Sequence, residues 1–119
     1  MYELFPEIQG KVFAVKITGK ITEKEKQQLS EMIQERTAQQ GGLRLLLVTS
    51  DYPSFNSAED LYDDLGFVSR NAGDIEKLAV VGESPWKSTW VGLFGLFSGL
   101  KGAYFEKSNF EEAWNWLTG

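Results

Sequence analysis

The sequence contains no cysteine and no histidine among its 119 residues. Without these side chains the chain has no thiolate nucleophile, no imidazole base, no disulfide framework and no zinc-finger ligands. A reactive pair such as Ser84 with Asp51 would lack the base that activates a hydroxyl nucleophile. Phosphate-binding glycine loops and the Gly-x-Ser-x-Gly elbow are also missing from the sequence. We therefore expect a protein that is not an enzyme and that uses no cofactor.

Positive charge is scarce too. The chain has 12 Lys and Arg against 17 Asp and Glu, for a net charge of -5. A protein of this sign repels a phosphate backbone unless it carries a concentrated basic face, so we expect no nucleic-acid partner. The acidic residues between 59 and 64 are typical of a solvated helix face. They lack the spacing of a calcium-binding loop, and we assign no metal.

No uncharged run is long enough to cross a membrane. The longest such run spans residues 88–100, well short of the roughly 20 residues that a spanning helix needs. The first ten residues carry acids where a secretory signal requires bases. We therefore expect a cytoplasmic protein without a transmembrane segment, whose membrane contact, if it has one, is peripheral.

The composition is that of a globular protein, with 42% hydrophobic and 24% charged residues, and the length suits one domain over residues 1–119. Alternating or continuous apolar segments predict five strands, at 2–5, 11–18, 43–48, 75–81 and 102–105. Periodic segments with capping residues predict four helices, at 22–40, 57–70, 86–99 and 109–117. The order β-β-α-β-α-β-α-β-α predicts an α/β fold with a mostly parallel five-stranded sheet, and the first strand lies antiparallel at or near one edge.

The third predicted helix is the most unusual segment. Its aromatic residues are spaced by four, four and three positions and therefore share one side of a helix, namely Trp86, Trp90, Phe94 and Phe97. Ser84 is placed to cap this helix. Glycines within it cost about 1 kcal/mol each relative to alanine, so a close approach of another group should offset them. The aromatic side can be core, the wall of a hydrophobic ligand pocket, a membrane-surface helix or a dimer contact.

Two strand-end loops complete the candidate site. Asp51 and Tyr52 follow the third strand and Ser84 follows the fourth, and ligands of parallel sheets bind outside the carboxyl ends of the strands. Only Lys87 and Lys101 flank the apolar run, which disfavours attraction to anionic lipid surfaces. We therefore predict a hydrophobic-ligand site formed by seven residues: Trp86, Trp90, Phe94, Phe97, Ser84, Asp51 and Tyr52.

Several short sequence segments resemble those of a known family. Val-Lys-Ile-Thr-Gly-Lys-Ile-Thr at 15–22, the aliphatic third strand, and Leu-Ala-Val-Val-Gly at 78–82 followed by Trp86 resemble the SpoIIAA-like family of small bacterial proteins. The resemblance implies a fold akin to STAS domains, which include anti-sigma-factor antagonists, and a topology similar to lipid-binding CRAL-TRIO domains. It implies either a lipid-binding or a protein-interaction function.

The resemblance also raises the question of a phosphorylation switch. STAS antagonists carry the modified serine in an Asp-Ser-Ser-Gly-like turn after the third strand, and residues 49–57 contain no such turn. Ser54 and Ser57 are the candidate phosphoacceptors, although Ser57 is better explained as a helix cap and the acids after it would repel a phosphate. Our leading hypothesis is thus a non-enzymatic domain that binds a hydrophobic ligand or lipid. The alternative is a STAS-like interaction module that acts as a homodimer or with a partner protein.

Overall fold

The computed structural model describes residues 1–5, 10–52, 58–97 and 100–119. Strands and helices follow one another in the order β1 (Tyr2–Leu4), β2 (Val12–Thr18), α1 (Glu23–Gln40), β3 (Leu43–Ser50), α2 (Ala58–Asp64), α3 (Gly66–Arg70), β4 (Ile75–Gly82), α4 (Lys87–Phe94), β5 (Lys101–Glu106) and α5 (Phe110–Thr118). Short 3₁₀ turns occupy Ala72–Asp74, Ser84–Trp86 and Lys107–Asn109.

The five strands form one mixed sheet in the order β1-β2-β3-β4-β5. β1 pairs antiparallel with β2, and every other neighbouring pair is parallel. The predicted α/β architecture, with a mostly parallel sheet and an antiparallel first strand at its edge, is confirmed.

Side chains alternate between the two faces of the sheet and form two hydrophobic cores. Val15, Leu47 and Val80 belong to the larger core, which also holds buried residues of α1, α2, α3 and α4. Ala14 and Leu46 point the other way, into a smaller core that α5 covers. Strands β2 to β5 are neighbours in the sheet in the same order as in the sequence. The right-handed connections between them therefore place all their helices on one face of the sheet. Only α5, which follows the last strand, is left to cover the opposite face.

The start of α1 is specified locally. Thr22 Oγ1 accepts a hydrogen bond from the Glu25 backbone N–H at 3.1 Å, and Glu25 Oε1 accepts one from the Thr22 N–H at 3.0 Å. This reciprocal capping box satisfies two backbone donors that the first helical turn cannot use. The hydrogen bond from the Thr22 backbone also lowers the pKa of Glu25.

The helix predicted at 57–70 is instead two helices that meet at Leu65. Phe67 and Val68 both belong to α3 and lie in the core, where Phe67 is 1% exposed and Val68 is fully buried. The predicted cap, Ser57, lies outside the described residues.

The helix predicted at 86–99 is shorter than expected. A 3₁₀ turn precedes α4, which begins at Lys87 and ends at Phe94. The backbone then tightens, with Leu96 N donating to Leu93 O at 2.9 Å and Phe97 N donating to Phe94 O at 3.3 Å. The Phe94 ring lies directly against Gly102, where an added Cβ would come within 2.5 Å of it. Packing of this ring on β5 and burial of Phe97 compete with continuation of the helix.

Among the helices of the described ranges, none combines the length and the apolar character needed to span a membrane.

Candidate functional site

The two predicted strand-end loops lie at the carboxyl edge of the sheet, and α4 runs from there to the beginning of β5, where Phe94 packs on Gly102. β3 ends at Ser50 and β4 at Gly82, so the segments that follow these parallel strands emerge on the same side. Asp51 is exposed and has a φ of 55°, a left-handed conformation that aspartate tolerates better than most residues. Tyr52 turns inward and is 1% exposed. The chain therefore changes direction sharply at Asp51 to place the Tyr52 ring in the core.

Tyr52 and Trp90 are in contact. Their ring centres are 6.2 Å apart with an angle of 49° between the ring planes, within the range of favourable aromatic pairs. The structure thus brings together Tyr52 of the loop after the third strand and Trp90 of the predicted aromatic helix. Burial of Tyr52, followed by its hydrogen bond to Asp64, raises the pKa of its hydroxyl well above the ordinary value.

The aromatic side of α4 faces the protein interior. Trp90 is fully buried and Phe97 is 7% exposed, whereas Trp86 and Phe94 are partly buried and pack against the same core. Phe97 also lies 5.6 Å from the Tyr62 ring of α2. Two of the four aromatics are therefore buried in the larger core, and the other two pack against it.

The indole N–H of Trp90 in this core has no hydrogen-bond partner among the described residues. In the described part of the chain no acceptor lies within hydrogen-bond distance of Trp90 Nε1, although the side chain is completely buried. A buried donor without a partner costs about 1–3 kcal/mol. Such groups are uncommon in native proteins and require an explanation.

The outer side of α4 is apolar as well. Val91 is 52% exposed and Leu96, just after the helix, is 43% exposed. Lys87 is the one charged residue within the helix, at its first position. The segment therefore presents hydrophobic side chains to solvent as well as to the core.

A pair of hydroxyl groups that our sequence analysis missed lies at the same edge of the sheet. An added Cβ at Gly82 would lie 2.6 Å from Thr49 Oγ1 and 2.9 Å from the Tyr104 hydroxyl, so both oxygens converge on this glycine. Thr49 donates to Val81 O at 3.2 Å, and Tyr104 donates to Glu83 O. Each oxygen can still accept a hydrogen bond. These residues stand on three different strands, and no local motif marks them.

The environment of Tyr104 is acidic and partly buried. Desolvation, together with the negative charges of Glu106 and Glu83, raises the pKa of Tyr104 to about 12. Lys107 Nζ lies 3.1 Å from Glu83 Oε1. Tyr104 is therefore a neutral hydrogen-bonding group at physiological pH.

The remaining predicted residues are not fully described. Ser54 and Ser57, the candidate phosphoacceptors, lie outside the described residues. The backbone of Ser84 belongs to the 3₁₀ turn before α4, and its side chain is not described. Within residues 1–5, 10–52, 58–97 and 100–119, no group of three or more acidic side chains is arranged to hold a metal ion.

Comparisons with known proteins agree with this architecture. The structure is similar to the crystal structure of an uncharacterized DUF3478-family protein with a SpoIIAA-like fold from Shewanella loihica PV-4. That match has a TM-score of 0.68 and 16% sequence identity, and covers 98% of this chain and 93% of the other. No curated protein matches the sequence. The SpoIIAA-like family model matches residues 12–118, and the chain therefore belongs to the SpoIIAA-like family.

Proposed function

We propose that this protein is a non-enzymatic binding module that holds a hydrophobic ligand or lipid beneath α4. The observation that carries the proposal is the buried Trp90 indole N–H, which has no acceptor among the described residues. An acceptor oxygen supplied by a ligand would remove the cost of leaving this donor unpaired.

The surroundings of Trp90 define the chemistry of the ligand. Tyr52, Leu93 and Phe97 belong to the same buried core as Trp90 and are largely apolar, which suits a hydrocarbon body. A single donor in such a setting suits a carboxylate, ester or alcohol oxygen at one end of the ligand. A lipid-type molecule combines both features.

Access to this site requires a movement of α4. Trp90 is 0% exposed, so a ligand reaches its indole only when the helix shifts outward. α4 has eight residues, and its contacts with other elements are mainly with α2 and β5. Helices of this length contribute little stability of their own and depend on tertiary packing. Binding would thus exchange contacts of α4 with the core for contacts with the ligand.

The first experiment is native mass spectrometry of the protein purified from its own source, followed by titration with the fluorescent fatty acid cis-parinaric acid. We expect a bound species of lipid-like mass and saturable uptake of the probe. Trp90→Phe keeps an aromatic ring but removes the N–H, so it should weaken uptake by at least about tenfold, the value of a hydrogen bond to a charged acceptor.

Trp116→Phe is the matched control, because Trp116 packs in the smaller core on the opposite face of the sheet. It should leave uptake unchanged. The proposal is wrong if the protein carries no adduct and takes up no probe, or if Trp90→Phe and the unsubstituted chain bind the probe equally.

The alternative function, a STAS-like protein-interaction module, is favoured by the outer side of the same segment. Val91 and Leu96 expose about half of their surfaces to solvent. Large exposed apolar side chains that lie close together are typical of contact surfaces. Sedimentation velocity over a range of concentrations would then show a dimer that Val91→Ser with Leu96→Ser dissociates. Leu4→Ser, which changes a residue 45% exposed on β1, is the control and should leave the dimer intact.

A further inference from the structure

A groove on the opposite face of the sheet has a chemistry of its own. α5 packs mainly over β4, with fewer contacts to β3 and β5, so the surface of β1 and β2 is only partly covered. Between this surface and the beginning of α5 lies an apolar groove of about 320 Å³. We call it the α5 groove; its lining residues are Phe5, Ala14, Leu46, Phe110, Glu111 and Trp114. This volume is sufficient for a small organic molecule.

Three aromatic rings form most of its walls. Phe5 and Phe110 meet edge to face, with their ring centres 6.4 Å apart and an angle of 78° between planes. Phe110 is 40% exposed and lines the groove. Trp114, one helical turn further along α5, completes the aromatic surface. Ring faces carry partial negative charge and attract cations.

Glu111 is the charged residue of the lining. It lies in the first turn of α5, where the helix dipole favours a negative charge. Among the described residues no basic group lies within 4 Å of its carboxylate, since the ion pairs found there all involve other acids. The groove thus combines aromatic rings with a carboxylate that forms no ion pair in the described part of the chain.

The basic residues around α5 are engaged elsewhere. Arg44 Nη1 donates to Leu117 O at 2.9 Å, and Lys77 Nζ donates to Trp116 O at 2.9 Å. Both contacts are at the C-terminal end of the helix, the end opposite Glu111. On the neighbouring sheet surface, Lys16 of β2 is the register partner of Glu3 of β1.

We propose that the α5 groove binds a small organic cation, with an alkylated ammonium group held by the three rings and by Glu111. Aromatic faces and a carboxylate together recognise a quaternary ammonium group through cation–π attraction and charge. A neutral molecule of the same shape gains only the apolar contacts. The site is separate from the one proposed beneath α4, because the two lie on opposite faces of the sheet.

The test compares choline with neohexyl alcohol, an uncharged molecule of nearly the same shape, by following the Trp114 indole N–H resonance in NMR titrations. We expect choline to shift this resonance saturably and to bind about tenfold or more tightly than the alcohol. Glu111→Gln keeps the side-chain shape but removes the charge, and it should reduce this preference to the part that the aromatic rings supply. Phe110→Leu should weaken choline binding while the groove stays apolar.

Glu112→Gln is the matched control, since Glu112 is the next acidic residue in the same helical turn and does not line the groove. It should leave choline binding unchanged. Equal affinity for choline and the alcohol would overturn the proposal, as would equal effects of the Glu111 and Glu112 substitutions. An indole resonance that does not respond to choline would overturn it as well. None of these results depends on whether a lipid binds beneath α4.

Discussion

The Tyr52 hydroxyl donates a hydrogen bond to Asp64 Oδ2, which ties the loop after β3 to the end of α2. The other oxygen of this carboxylate lies 2.8 Å from Lys26 Nζ of α1. The hydrogen bond to Asp64 is the main cause that raises the pKa of Lys26. One aspartate thus joins three segments and holds the Tyr52 ring in place against Trp90.

Replacing Tyr52 by phenylalanine should lower the free energy of unfolding by about 2 kcal/mol, because a buried hydrogen bond to a charged acceptor is lost. Urea denaturation measures this change. Tyr62→Phe is the control, since Tyr62 is a partly buried tyrosine of α2 that packs on Phe97 through its ring. If both substitutions lower the free energy of unfolding by the same amount, the hydrogen bond to Asp64 contributes no more to stability than the hydroxyl of Tyr62 does.

Substitution of Gly82 by alanine should destabilise the fold by about 1–3 kcal/mol, the usual cost of overpacking. The new Cβ would lie 2.6 Å from Thr49 Oγ1 and 2.9 Å from the Tyr104 hydroxyl, too close for either. Gly73→Ala is the control, because an added Cβ there meets nothing within 4 Å. In a Thr49→Ala background, Gly82→Ala should lower the free energy of unfolding by less than it does in the unsubstituted protein. If the effects of the two substitutions simply add, the proposed clash is wrong.

Alkaline pH should weaken the fold through Tyr104. Its pKa is raised from 10.0 to about 12 in the folded protein, so the unfolded chain releases this proton first. The stability that the protonated phenol contributes is therefore complete below pH 10.0 and is lost as the pH rises to about 12. Unfolding free energies measured across this range should fall less steeply in Tyr104→Phe. An unchanged slope in that variant would refute the assignment.

Much of the fold could be predicted from short-range sequence signals. The capping box of Thr22 and Glu25 is visible in four consecutive residues, and it forms as expected. The uninterrupted aliphatic segment from Leu43 predicted a central strand, and β3 is buried between two parallel neighbours. The helix boundaries were less predictable. α4 ends at Phe94 because this ring packs on Gly102, a residue of another element whose position periodicity does not encode.

The candidate sites depend even more on tertiary structure. The spacing of Trp86, Trp90, Phe94 and Phe97 is compatible with either a core or a ligand pocket, since a helical stripe looks the same in both cases. The missing acceptor for Trp90 appears only when the surrounding atoms are placed. Phe5 and Phe110 form a wall of the α5 groove. They are far apart in the sequence, and their rings come into contact only in the folded structure.

The sequence by itself determined the class of fold, because strand and helix signals arise from neighbouring residues and their order restricts the topology. It also excluded chemistry that needs cysteine or histidine, because those residues are absent. Only the tertiary structure decided which face of the sheet each helix covers, which polar atoms are left without partners and where a groove is left open. These properties depend on contacts between residues distant in the chain, and local periodicity carries no information about them.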